Sequence, residues 1–256
     1  MSKPHGNKDS WLGALRAEGA AFHTAVETAA SAGQLDAIVP TCPDWTVRQL
    51  TFHLADIYRY VASHVARGEA TKPERPAPEP TEGVDPLATF DRHFAEIVRV
   101  LESVDPDLPA YNWAPQAKRA AFWHRRMAVE SAVHRWDAQV AAGPAEPVEA
   151  KLATDGITEV VDSMLPGGRR RGSVEGVRGV VALHAADVGR DWYLRLRGEG
   201  IAVLDTDTVL DPDHPHERAQ ATGTASDLLL ALYGRVPYDV LEVAGDPRLL
   251  QALRTG

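Results

Sequence analysis

Trp123-His124-Arg125-Arg126-Met127-Ala128-Val129-Glu130-Ser131-Ala132-Val133-His134-Arg135-Trp136-Asp137 contains no glycine or proline. It is rich in good helix formers and predicts a helix. At about 100° per residue, Glu130, His134 and Asp137 fall within a wedge of roughly 60°, which Trp123, Met127 and Ala141 share. Val129, Val133, Trp136 and Val140 form an adjoining apolar stripe. Three ionisable side chains therefore stand among residues that should face a core, where an unpaired charge is costly. A carboxylate and an imidazole four residues apart can ligate one metal ion, which removes that cost. The same pair can equally form a plain i,i+4 contact on a half-exposed helix, contributing about a few tenths of a kcal/mol. On this stretch alone both readings stand.

Moving outward, Cys42-Pro43-Asp44-Trp45-Thr46-Val47-Arg48-Gln49-Leu50 holds a capping box in Thr46 and Gln49, which opens a helix running to about Arg67. His53 lies on the face of that helix with Leu50, Ile57 and Tyr60, read as its apolar face. Taken alone, such a histidine is a core residue bonded to a carbonyl. Beside Glu130 and His134 it is the natural third ligand, because catalytic zinc sites use three protein ligands and leave a fourth position open. Helical bundles build metal sites in this way, from side chains on facing helices. Cys42 precedes a helix N-terminus, where thiol pKa values fall, but a packing or turn role is favoured. Arg126 shares the ligand wedge; it is either a solvated helix-end arginine or a partner for an anionic substrate.

The remaining helices follow the same pattern. Ser10 caps a first helix through about Ala32, with Trp11, Leu15, Phe22 and Val26 apolar. Leu35 to Pro40 reads as an extended link, with Pro40 and Pro43 enforcing non-helical backbone before them. The segment from Gly68 to Pro86 is a proline-rich surface loop. A third helix runs from about Leu87 to Val104, with Phe90, Phe94, Ile97, Val98 and Leu101 inward. The fourth ends before Gly143-Pro144. Four helices with one apolar stripe each suffice for a four-helix bundle over residues 8–146. From 147 to 256 the chain reads as a small α+β domain: a helix to about Met164, strands at 180–185 and 192–197, weaker strands at 201–204 and 219–222, a helix capped by Thr224 or Ser226, and a short one opened by Pro247.

Composition narrows the possible functions. Of 256 residues, 44% are hydrophobic and 25% charged, as in a soluble globular protein. A net charge of −9 argues against a nucleic-acid partner, which needs clustered basic surface. Arg169-Arg170-Arg171 is a local exception placed in a glycine-flanked loop. No apolar run reaches the roughly 20 residues of a membrane-spanning helix. The first nine residues lack a signal-peptide core and read as a frayed tail. A single cysteine cannot form an internal disulfide, which suits the cytoplasm. A monomer or weak dimer is expected.

Two of these stretches carry a resemblance. Cys42-Pro43-Asp44-Trp45-Thr46-Val47-Arg48 with His53-Leu54, and Arg126 through Asp137, resemble the two signatures of the mycothiol-dependent maleylpyruvate isomerase family. The stretch Gly223-Thr224-Ala225-Ser226-Asp227-Leu228 through Arg235 is similar to that family's sterol-carrier-like C-terminal domain. The resemblance implies a DinB-like metal-binding four-helix bundle followed by that domain. It implies zinc, or another divalent ion, on His53, Glu130 and His134, and a working aspartate at Asp137. It also implies an arginine from the C-terminal domain, for which Arg195 and Arg197 are the candidates. Because small-molecule sites often lie at domain interfaces, the C-terminal domain is expected to close the active site. The activity implied is mycothiol-dependent cis–trans isomerisation of a maleylpyruvate-like acid. S-transfer from mycothiol to an electrophile, and a metal-binding module without turnover, are the alternatives. If Asp137 were a fourth ligand, no position would remain for a thiol and the site would be structural.

Overall fold

A computed structural model describes residues 6–171, 175–198, 200–204 and 218–255. Within it the chain forms two compact units that meet in sequence between Pro147 and Val148. The first is helical and the second carries a sheet.

The helical unit begins with α1, Lys8–Ser31. Its N-cap is Asn7, not Ser10: the Asn7 side chain accepts from the Ser10 amide, and the Ser10 hydroxyl accepts from the Asn7 amide. Both residues are good caps, and this reciprocal arrangement satisfies two of the orphan donors of the helix end. Lys8 and Asp9, expected in a frayed tail, are thereby the first turn; residues 1–5 of that tail lie outside the described residues. Within the segment expected as an extended link, Ile38–Val39 form a short strand, β1, which pairs with β2, Cys42–Thr46, as a hairpin. Helix α2, Val47–Val65, starts on the anticipated capping box, with both Thr46–Gln49 bonds present. Pro86 opens α3, Pro86–Ser103, behind an Asp85 cap, since proline's missing N–H costs nothing in the first turn.

The pivotal helix, α4, spans Ala120–Ala142. It packs chiefly against α1, while α2 packs chiefly against α3. Phe22, Tyr58, Phe90, Ile97 and Met127 are among the fully buried side chains that fill the space between them. Helix α4 is buried on nearly all sides, including Arg125, Arg126, Glu130, His134, Arg135 and Asp137. Val129 and Val133 of its expected apolar stripe are buried, whereas Trp136 and Val140 are only half-buried. Its charges are matched internally: Arg135 Nε donates to Glu18 Oε2 of α1 at 2.7 Å.

The second unit begins with α5, Ala150–Glu159, which continues as a π-turn through Met164. Strands β3, Arg178–Ala185, β4, Arg190–Arg197, β5, Ile201–Leu204, β6, Arg218–Gly223, and β7, Glu242–Gly245, form one sheet in the order β5-β4-β3-β6-β7. Only the β3–β6 pairing is parallel. The strand β7 was not anticipated. All four of its residues are exposed, so it carries no apolar alternation to read. Val181, Leu183, Trp192, Leu194 and Ala221 alternate onto a buried face, and the Trp192 indole donates to Thr158 Oγ1 of α5 at 3.1 Å. Helices α6, Ala225–Leu232, and α7, Pro247–Gln251, complete the unit. Thr224 is the cap of α6, not Ser226. The arginine loop at 169–171 runs into residues 172–174, which lie outside the described residues. No helix among the described residues is long and apolar enough to cross a membrane.

Candidate metal centre

Helix α4 supplies Glu130 and His134 one turn apart, and α2 supplies His53. One ligand atom from each lies within 4.8 Å of the other two. Glu130 Oε1 stands 3.5 Å from His134 Nε2 and 3.9 Å from His53 Nε2. Ligands about 2.0–2.2 Å from a tetrahedral zinc are themselves about 3.4 Å apart, so both separations suit a cation between them.

The neighbouring bonds fix which atoms face that point. Asp137 is fully buried. Its Oδ2 accepts from His134 Nδ1 at 2.9 Å and its Oδ1 from the Thr41 hydroxyl at 2.6 Å, while Cys42 Sγ donates to Oδ2 at 3.6 Å. An ionised carboxylate only accepts. Asp137 therefore keeps a proton on His134 Nδ1 and leaves the Nε2 lone pair turned toward Glu130. On the other flank Arg126 Nη2 donates to Glu130 Oε2, leaving Oε1 for the histidines. Arg126 is thus buried and ion-paired, not a solvated helix-end arginine. Two nitrogens and one carboxylate oxygen converge, a donor set that fits zinc or a similar divalent ion.

His53 differs from the expectation in its setting. The buried face of α2 is Leu50, Leu54, Tyr58, Val61 and Val65, and Ile57 and Tyr60 lie half-buried beside it. His53 is on that flank, with 32% of its side chain exposed. Burial, then the neighbouring His134, push its pKa down to about 3, with Arg75 and Arg126 adding to the shift and Asp56 opposing it. The imidazole is neutral at physiological pH, as a metal ligand must be.

Three further residues at the site escaped the sequence reading of function. Trp45 packs on His53 with ring centroids 4.4 Å apart and stands 6.2 Å from His134. Its place just before the α2 cap was the signal available. Asp56 and Arg75 line an open pocket of about 580 Å³ with Trp45 and His53; Arg75 sits in the proline-rich loop, where nothing periodic marks it. Arg195 and Arg197 lie on β4 of the second unit, half-buried and exposed respectively.

Comparison with known proteins places the chain in a family. The family model for the mycothiol maleylpyruvate isomerase N-terminal domain matches residues 15–139, and the model for the C-terminal domain of the same family matches residues 151–252. No curated protein sequence matches the chain. Two crystal structures of the mycothiol-dependent maleylpyruvate isomerase, one of them a histidine-to-alanine mutant, superpose with TM-scores of 0.62 and 0.61. The sequence identities are 12% and 13%, and the superpositions cover 95% of this chain and 96% of each of those. At such identity the likeness shows the shared fold, while the two domain matches carry the membership: the chain belongs to the mycothiol maleylpyruvate isomerase family.

Proposed function

We propose that this chain is a metal-dependent enzyme that uses mycothiol to isomerise a maleylpyruvate-like unsaturated acid from cis to trans. The observation that carries the reading is the convergence of His53, Glu130 and His134 in a chain whose two halves both match the family. In this reading the three residues hold one divalent ion, zinc by preference, and residues 8–146 form a DinB-like four-helix bundle around it. Residues 147–256 form the accompanying α+β domain. A bound divalent ion supplies a Lewis acid that lowers a thiol's pKa, giving the nucleophile that adds to an activated double bond and later leaves it. The chain's own residues set that chemistry up. Asp137 is a positioning residue, holding His134 in one tautomer. Arg126 holds one oxygen of Glu130 and turns the other inward. Trp45 packs against one side of the His53 ring and helps to orient it. Substrate, thiol and product are all small molecules, and the reaction belongs in the cytoplasm, where a lone cysteine stays reduced.

The test is to supply zinc-loaded protein with mycothiol and maleylpyruvate and follow the trans product. Trans acid formed only when both metal and thiol are present supports the reading. A thioether that accumulates in its place assigns an S-transferase. Bound metal with neither product leaves a metal-binding module without turnover.

A further inference from the structure

The pocket that opens beside His53 is lined by two arginines, Arg59 and Arg75, and two acids, Asp56 and Glu79. It lies against α2, α3 and the proline-rich loop, and its wall includes Trp45, His53, Asp56, Arg59, Arg75 and Pro76. Arg59 and Arg75 grip the same carboxylate: Arg59 Nη2 donates to Asp56 Oδ1 at 2.7 Å, and Arg75 Nη2 to Asp56 Oδ2 at 2.5 Å. Two guanidiniums thus share one acid. Glu79, the other acid in the wall, is taken up outside this pair by Arg92 at 2.6 Å, with His93 Nε2 3.1 Å away. Beside His53, two guanidiniums therefore meet a single carboxylate, in a chain whose net charge is −9.

The arrangement is held in advance. The Arg75 guanidinium lies 5.3 Å over the Tyr60 ring, a cation–π contact. Pro73, Pro76, Pro78 and Pro80 around it fix their own φ angles and reduce the freedom the loop would lose on binding. Burial of Asp56 would raise its pKa, but the hydrogen bonds and charges of Arg59 and Arg75 together hold it below the ordinary carboxylate value. Asp56 is therefore a brace, always charged at neutral pH. Each guanidinium has five N–H donors in a planar fork suited to a carboxylate, and the bonds to Asp56 use one nitrogen of each.

We propose that Arg59 and Arg75, braced by Asp56, bind a carboxylate of the substrate and so make this site selective for unsaturated acids over their neutral analogues. The assignment rests on the reading of His53, Glu130 and His134 as the reaction centre, which this pocket adjoins. Arg75, with 61% of its side chain exposed, is the residue to test, because its removal leaves the core intact.

The experiment is calorimetric titration of the zinc-loaded full-length chain with maleate, with the uncharged diamide maleamide, and with mycothiol. Wild type is compared with Arg75→Gln and Arg59→Gln, after zinc content and circular dichroism have been matched. Maleate affinity should fall about tenfold in Arg75→Gln, the size of one charged hydrogen bond. Maleamide should bind wild type more weakly than maleate and be indifferent to the substitution, and mycothiol affinity should be unchanged. Equal maleate binding by wild type and Arg75→Gln would overturn the proposal, as would maleamide binding as tight as maleate. Loss of mycothiol binding with maleate intact would also overturn it, by giving the pocket to the thiol. Arg75-dependent maleate binding in a protein that forms no trans product would uphold the pocket while removing the isomerase reading.

Discussion

At the scale of single residues, the cluster of His53, Glu130 and His134 is flanked by partners that bond to its outer atoms. Asp137 bonds to the far nitrogen of His134, and such outer partners typically contribute about 10–100-fold in metal affinity or activity. Asp137→Asn should therefore still take up zinc at saturating metal but bind it at least about tenfold more weakly, as a competitive chelator titration would read. Unchanged affinity would deny Asp137 its positioning role. His53 gives a pH prediction with a definite sign. Its folded pKa is pushed down to about 3, below the value of about 6.5 expected in the unfolded chain. The unfolded state thus binds more protons at acid pH, so the stabilisation is complete above about pH 6.5 and is lost as pH falls toward 3. The urea midpoint of the metal-free protein should drop between pH 7 and pH 5, and drop less in His53→Asn; identical slopes would contradict it. Glu130 and His134 were legible in the sequence because one helix places them a turn apart, and the period of 3.6 is enough to see it. Arg126 was ambiguous because helical spacing gives its direction but not its burial. Trp45, Asp56 and Arg75 were missed, since two come from segments without periodicity and Asp56 is ordinary until its arginine partners are known.

At the scale of elements, two contacts help to hold the helices that carry His53, Glu130 and His134. The first is the start of α2, which carries His53. Thr46 caps it through Gln49 in both directions, so Thr46→Ala should cost about 1 kcal/mol, within the range of lost N-caps, measured as a shift in the denaturation midpoint. No shift would mean that the α2 start is set by the β1–β2 hairpin instead. The second is the Glu18–Arg135 ion pair between α1 and α4, in which both side chains are nearly inaccessible to solvent. Removing one member of a buried pair leaves the other charge uncompensated and costs about 3–5 kcal/mol. Glu18→Gln should lower unfolding free energy by an amount of this order, whereas a change below about 1 kcal/mol would place the pair in the class of surface bridges. The helices were readable because each has a cap and a stripe. The hairpin and β7 were not: the hairpin is only a few residues long, and the exposed edge strand has no alternation from which to infer it.

At the scale of the whole molecule, a helical unit with a buried polar constellation precedes a sheet unit of about the same order of size, and both match one family. The architecture was legible from the change in pattern after Pro147, where helical periodicity gives way to short alternating strands. With structural relatives at 12–13% identity, fold alone does not assign the reaction; the three side chains on α2 and α4 carry the chemistry to be tested. The most direct measurement is elemental analysis of the purified wild-type chain beside His134→Ala and His53→Ala, each loaded with zinc and dialysed identically. The account predicts one equivalent of divalent metal in the wild type and less than about a tenth of that in either variant, in line with a three-ligand site reduced to two. Equal metal in all three proteins would contradict it.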